Sequence, residues 1–128
     1  MKLPSIFRGQ RKVLLVEDDV ALRTALADKC KESGFKVLEA GAADEVLSIL
    51  GLEKPDVLVL DLILPMKDGI TLLEELRMAG FQMPVLILSN LLGSHDLRAD
   101  AERLNAAFYN KSSVSLEEIV EVLEQSLS

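Results

Sequence analysis

Glu17, Asp18 and Asp19 follow directly on the apolar run Val13–Val16, and Asp61 follows directly on Val57–Leu60. Ser89 and Asn90 follow a third such run, and Asn110 and Lys111 a fourth. If these runs lie side by side, Glu17, Asp18 and Asp61 meet in one pocket with Lys111 and Ser89 at its edge. Two like charges about 4 Å apart repel by roughly 4 kcal/mol at an effective dielectric near 20. A pocket of that kind takes up a proton or holds a cation. Hard oxygen ligands at this density suit Mg²⁺, which commonly takes one or two carboxylates and keeps several waters. Lys111 would add a fixed positive charge and Ser89 a hydroxyl donor. A carboxylate, a divalent cation, an ammonium and a hydroxyl together meet the needs of phosphoryl transfer. The carboxylate can serve as nucleophile and form an aspartyl phosphate, while the cations neutralise the equatorial oxygens.

The elements that must position these groups alternate. Lys12–Val16 is a short, nearly continuous apolar run, which suits a strand buried on both faces of a parallel sheet. Asp19 to Ser33 reads as a helix with Leu22, Ala25, Leu26 and Cys30 at helical spacing and Gly34 as its stop. Val37–Leu38 is a weaker strand, and Ala43 to Leu50 a short helix with Val46, Leu47 and Leu50 inward, ending at Gly51. Asp56–Leu60 is the clearest strand, followed after Asp61 by a loop with Pro65 and the turn signal Asp68-Gly69. Ile70 to Ala79 is a helix, Val85–Leu88 a strand, Ser94 to Asn105 an irregular helical stretch, and Ala107–Tyr109 a short strand. Ser115 caps a last helix whose inward stripe is Leu116, Ile119, Val120, Leu123 and Leu127. Five strand–helix units in alternation predict an α/β fold, a (βα)5 doubly wound five-stranded parallel sheet with right-handed crossovers. The functional crevice of such a fold lies beyond the C-terminal ends of its strands.

Size and charge narrow the function. The chain has 128 residues and a net charge of −7, from 14 Lys+Arg against 21 Asp+Glu. That is one domain, large enough to need no metal or disulfide staple. Its acidity argues against direct nucleic acid binding by this domain. A single cysteine, Cys30, excludes an internal disulfide and reads as a small buried hydrophobe. No apolar run approaches the roughly 20 residues that span a bilayer, so neither a membrane nor export is expected, and the cytoplasm is the expected compartment. Residues 1–11 carry Lys2, Arg8 and Arg11 and read as a flexible tail before a domain at 12–128. His95, alone in an irregular segment, reads as a surface residue, and Glu117, Glu118, Glu121 and Glu124 as a solvated helix face.

Four motifs, in order and on these strand ends, resemble the receiver domain of bacterial two-component response regulators: Val13-Leu-Leu-Val-Glu-Asp-Asp19, Asp56-Val-Leu-Val-Leu-Asp61-Leu-Ile-Leu-Pro65-Met-Lys-Asp-Gly69, Val85-Leu-Ile-Leu-Ser89 and Phe108-Tyr-Asn-Lys111. The likeness runs from about residue 12 to residue 127 and implies the flavodoxin-like strand order 2-1-3-4-5. It implies that Asp61 is the phosphoacceptor and that Asp18, Asp61 and the backbone carbonyl of Ile63 hold Mg²⁺, with Glu17 acting through water. It makes Lys111 the active-site lysine, Ser89 the switch hydroxyl and Phe108 the aromatic switch that turns inward as Ser89 moves, with Pro65 and Gly69 shaping the loop. The phosphodonor would be a histidine kinase or a phosphotransfer protein, and no separate product-forming activity is expected. The fourth helix, fifth strand and fifth helix would meet a downstream protein or a second copy in a homodimer, with Leu91, Leu92 and Val122 contributing to that contact.

Three departures from the family pattern, at four positions, matter. Asn90 stands where a small residue is usual after the switch hydroxyl, and Ser112 where a proline is usual after the lysine. A cis bond without proline costs roughly 2.5–4 kcal/mol, so the 111–112 peptide is expected to be trans. Ile63 and Leu91 flank the site and cannot orient an attacking water, which predicts a long-lived phosphoryl form. Asn90 and Ser112 favour a second reading, a pseudo-receiver that binds partners without being phosphorylated; the intact Asp18, Asp61 and Lys111 oppose it. A true enzyme on a similar sheet fits less well. Position 63 is Ile where an aspartate phosphatase of the haloacid-dehalogenase type would need a second Asp, and no P-loop is present.

Overall fold

A computed structural model describes residues 10–64, 67–90 and 95–127. In chain order the elements are β1 (Lys12–Val16), α1 (Val20–Glu32), β2 (Lys36–Ala40), a 3-10 turn (Ala43–Glu45) leading into α2 (Val46–Glu53), and β3 (Val57–Asp61). There follow α3 (Gly69–Met78), β4 (Val85–Ser89), α4 (His95–Arg103), β5 (Ala106–Asn110) and α5 (Leu116–Ser126). The five strands form one sheet in the order β2-β1-β3-β4-β5, and every pairing is parallel.

The alternation of side chains along each strand explains why β1, β3 and β4 are apolar throughout. Leu14, Val16, Leu58, Leu60 and Ile87 point into a core closed by Val46 and Leu50 of α2, Leu72, Leu73 and Leu76 of α3, and Ala101 of α4. Val13, Leu15, Val57, Val59, Leu86 and Leu88 point the other way, against Leu26 and Cys30 of α1 and Ile119 and Leu123 of α5. Both faces are covered, so no strand in the middle of the sheet can afford a polar residue before its end. Each polar group at a strand end therefore emerges on one rim of the molecule.

Three helix starts are fixed by side chains that satisfy free backbone N–H groups. Asp19 caps α1 by accepting from Leu22 N, Asp68 caps α3 by accepting from Thr71 N, and Ser115 with Glu118 closes a capping box on α5. The second crossover departs from expectation. Helix α2 passes through Gly51 and ends at Lys54, whose left-handed φ of 50° terminates it. The 3-10 turn before it rotates the helix, so Ala43, Val46 and Leu50 face inward while Leu47 is 41% exposed. Strand β2 is also longer than Val37–Leu38, because edge positions Lys36 and Glu39 pair through their backbones while their side chains stay in water.

Residues 1–9 lie outside the described residues, but Gln10 and Arg11 are attached to the domain. Gln10 donates to the Gly34 carbonyl, the Arg11 carbonyl accepts from Lys36 N, and the Arg11 guanidinium lies 5.6 Å from the Phe35 ring centre.

At the rim opposite the strand C-termini, Arg77 of α3 closes the fold. Its guanidinium donates to four backbone carbonyls, of Leu104 (2.9 Å), Phe81 (2.9 Å), Met83 (2.9 Å) and Asn105 (3.2 Å). Removing the donors leaves four carbonyls to find water, so Arg77→Met should lower unfolding free energy by about 2 kcal/mol. Arg77→Lys should recover less than half, since one ammonium cannot span a fork. Urea unfolding of the two variants measures this; equal stability of wild type and Arg77→Met would show the clamp to be idle.

A candidate phosphoryl-acceptor site at the strand C-termini

Strands β1 and β3 are neighbours, with Val16 opposite Leu60, so Glu17 and Asp61 leave the sheet side by side. Carboxylate oxygens of Glu17, Asp18 and Asp61 lie within 4.8 Å of one another. Glu17 and Asp61 are 7% and 6% exposed, while Asp18 faces solvent. Lys111 enters from the end of β5 and bridges the two buried acids. Its Nζ donates to Glu17 Oε1 at 2.6 Å and to Asp61 Oδ2 at 3.0 Å. Asp61 Oδ1 accepts from Ile63 N at 3.1 Å, which fixes the carboxylate in the first turn of the following loop.

The electrostatics follow from burial and crowding. Burial, then the neighbouring Asp61, pushes the Glu17 carboxyl up to about 7, against the pull of Lys111. Burial works to lower the Lys111 pKa, but its bonds to Glu17 and Asp61 prevail and the ammonium is held above its usual range. Three carboxylates at −3 and one ammonium at +1 leave −3 + 1 = −2 when all are ionised, the charge a divalent cation would cancel. A mixed set of buried and exposed carboxylate oxygens fits Mg²⁺, which keeps part of its water shell.

Two further groups hold this geometry without touching the acids' oxygens. The Arg23 guanidinium of α1 donates to the Glu17 backbone carbonyl and to Glu39 Oε1 at 3.1 Å, tying the loop after β1 to the end of β2. Gly69 lets α3 start against β3: its N–H donates to the Leu62 carbonyl at 2.8 Å, and a Cβ there would lie 2.7 Å from the Asp61 carbonyl oxygen. Gly69 is legible in the sequence through its Asp-Gly signal. Arg23 is not, because its partners are a backbone carbonyl and a residue sixteen positions away.

Ser89 is fully buried at the end of β4, one residue past Leu88, which pairs with Asp61; its carbonyl accepts from Lys111 N at 3.1 Å. Asn90, next to it, is exposed. Phe108 is half-buried on the face covered by α4, with the Arg98 guanidinium 4.9 Å from its ring centre. Ile63 is 56% exposed beside Asp61. No peptide bond among the described residues is cis, the 111–112 bond included. Val122 is half-buried against the α1–α5 core and shares a groove with Pro84 and Val85, at the start of β4 and away from the acids. Pro65, Leu91 and Leu92 lie outside the described residues.

A 2-1-3-4-5 parallel sheet with an acidic pocket and a lysine at its C-terminal rim defines a class of signalling domain. The response regulator receiver domain family model matches residues 13–124, and the chain belongs to that family. Among curated proteins it is 28% identical over 119 residues to the transcriptional regulatory protein PdtaR of Mycobacterium tuberculosis, covering 92% of this chain and 57% of that one. It is 37% identical over 79 residues to the alkaline phosphatase synthesis transcriptional regulatory protein PhoP of Bacillus subtilis, covering 62% of this chain and 33% of that one. The chain thus spans between 33% and 57% of the length of these relatives. Among solved structures, the receiver domain of the Francisella response regulator 1452 superposes with a TM-score of 0.84 at 27% identity, over 91% of this chain and 96% of that one. The BeF3-activated N-terminal receiver domain of Klebsiella pneumoniae RstA gives 0.82 at 28% identity, over 91% and 98%. No helix among the described residues is long and apolar enough to cross a membrane.

Proposed function

We propose that the chain is a phosphorylation-dependent switch of a two-component system or phosphorelay, working in the cytoplasm and accepting a phosphoryl group on Asp61. The observation that carries this reading is Asp61 itself, a buried strand-end carboxylate held by Lys111 and Ile63 N beside two further acids. The donor is a histidine kinase or a phosphotransfer protein. A carboxylate oxygen of Asp61 attacks phosphorus, the P–O bond forms as the P–N bond of phosphohistidine breaks, and the departing imidazole takes a proton. Asp18, Asp61 and the Ile63 carbonyl would hold Mg²⁺, with Glu17 acting through water; the metal supplies charge neutralisation at the phosphoryl oxygens. Lys111, which bridges Glu17 and Asp61, would give up one carboxylate and pair with the incoming phosphoryl group. Ser89, at the end of β4, would supply a hydroxyl, and Phe108 would follow its movement, as the family likeness implies. The output is a changed surface, a population shift rather than a released product.

Intact-mass spectrometry after incubation with acetyl phosphate, with and without Mg²⁺, tests this on wild type and Asp61→Ala. One added phosphoryl group that requires both Mg²⁺ and Asp61 is expected. Its absence under every condition, including a kinase as donor, would favour the pseudo-receiver reading, for which Asn90 and Ser112 are the motive. The exposed apolar Ile63 offers no group to orient water, so the adduct should outlast minutes; decay within seconds would remove that reading. Contact with a downstream protein or a second copy would use α4, β5 and α5, with Leu91, Leu92 and Val122 as candidate residues.

A further inference from the structure

The loop that carries Lys111 is tied down by the Asn110 side chain as well as by backbone bonds. Asn110, the last residue of β5, accepts at its Oδ1 from Ser112 N at 2.9 Å and from Ser112 Oγ at 2.6 Å. Its own carbonyl accepts from Ser113 N at 3.2 Å and from Ser113 Oγ at 3.4 Å. Residues 110–113 therefore form a backbone turn with a side-chain turn superimposed on it, and Lys111 is the first residue of the bend. The strand side is fixed as well, since Asn110 pairs with Ser89 and Lys111 N donates to the Ser89 carbonyl. The Lys111 stem is long and flexible, so holding its Nζ on both Glu17 and Asp61 loses least side-chain freedom when its Cα is fixed.

We infer that Asn110 is a positioning residue: its carboxamide, through the N–H and hydroxyl of Ser112, aims Lys111 at the phosphoryl-acceptor pocket. Asn110 acts only through Lys111 and touches neither Asp61 nor the incoming group. The role in phosphorylation rests on the function proposed above; the aiming of Lys111 does not. Serine at 112 is then no mere tolerated replacement, because it supplies both donors of the turn.

The test reads Lys111 by two independent routes. An ammonium shared between two carboxylates resists acylation, so residue-resolved acetic anhydride labelling reports its placement without any phosphoryl chemistry. Asn110→Ala should raise Lys111 acylation about tenfold and leave the other lysines unchanged, and should slow Mg²⁺-dependent uptake from acetyl phosphate by about tenfold. Asn110→Asp keeps both acceptor bonds and should restore both readouts. In a Lys111→Met background, Asn110→Ala should slow uptake no further, since the residue through which it acts is gone. Unchanged Lys111 labelling in Asn110→Ala, or a further loss of uptake in the Lys111→Met background, would overturn the inference. A wild type that takes up no phosphoryl group would instead overturn the proposed function, and labelling would still decide the role of Asn110. Should Asn110→Ala not fold, Ser112→Ala removes one of the two bonds and is expected to move labelling in the same direction, by less.

Discussion

Lys111→Met is expected to unfold about 3 kcal/mol more easily than wild type in metal-free buffer, the size typical when one partner of a buried ion pair is removed. The methionine keeps an unbranched apolar stem and removes the ammonium with its charge and both hydrogen bonds, so packing changes little. What remains is Glu17 and Asp61, both nearly buried, with Asp18 beside them and no cation. Mg²⁺ should return most of the lost stability, because it binds the folded pocket and not the unfolded chain. Wild type should gain less, since Lys111 already neutralises part of the cluster. Urea unfolding of both proteins with and without Mg²⁺ measures all four states. Equal midpoints for the two proteins in chelator would show that the lysine contributes nothing to the pocket.

The second large effect is expected at Gly69. A methyl group there would sit 2.7 Å from the Asp61 carbonyl oxygen and 2.8 Å from Leu62 Cα, both backbone atoms that cannot rotate away. The start of α3 must move off the end of β3, breaking the bond from Gly69 N to the Leu62 carbonyl. Overpacking of this kind costs about 1–3 kcal/mol, and Gly69→Ala should lie at the upper end. It should also slow phosphoryl uptake, because the displaced strand end is Asp61 itself. Gly51 is the matched control: it lies inside α2 with nothing within 4 Å of a Cβ, so Gly51→Ala should stabilise by up to about 1 kcal/mol. Thermal unfolding of the pair separates a general dislike of alanine from a specific clash. A Gly69→Ala protein as stable as wild type would contradict the close approach.

These residues divide into those a reader of the sequence can find and those that only the fold reveals. Strands β1, β3 and β4 announce themselves because both faces of a central strand are buried, and Asp61 and Glu17 stand out because they end such runs. The edge strand β2 reads poorly, since Lys36 and Glu39 look like loop residues until their backbones are seen paired. Gly51 looks like a helix stop and is not one; Lys54 takes the left-handed conformation instead, where no glycine marks the place. Arg23 and Arg77 have no local signal, because their partners are carbonyl groups, which every residue carries. Asn110 lies between these cases. Its proximity to Lys111 is plain in the sequence, but the turn it builds with Ser112 depends on where β5 stops.

The guanidinium of Arg98 over the ring of Phe108 has an electrical consequence. A phenylalanine has no hydroxyl, so the ring's polar attraction to its surroundings runs through its face, and here that face is taken by a cation. Arg98 is exposed and carries its full charge with or without the ring, so an inward displacement of Phe108 would remove the attraction and free the guanidinium to reorient. On a chain with a net charge of −7, a guanidinium released from the ring would be drawn toward the acids around it. Movement of an uncharged side chain would thus change where a fixed charge stands, without changing the charge itself.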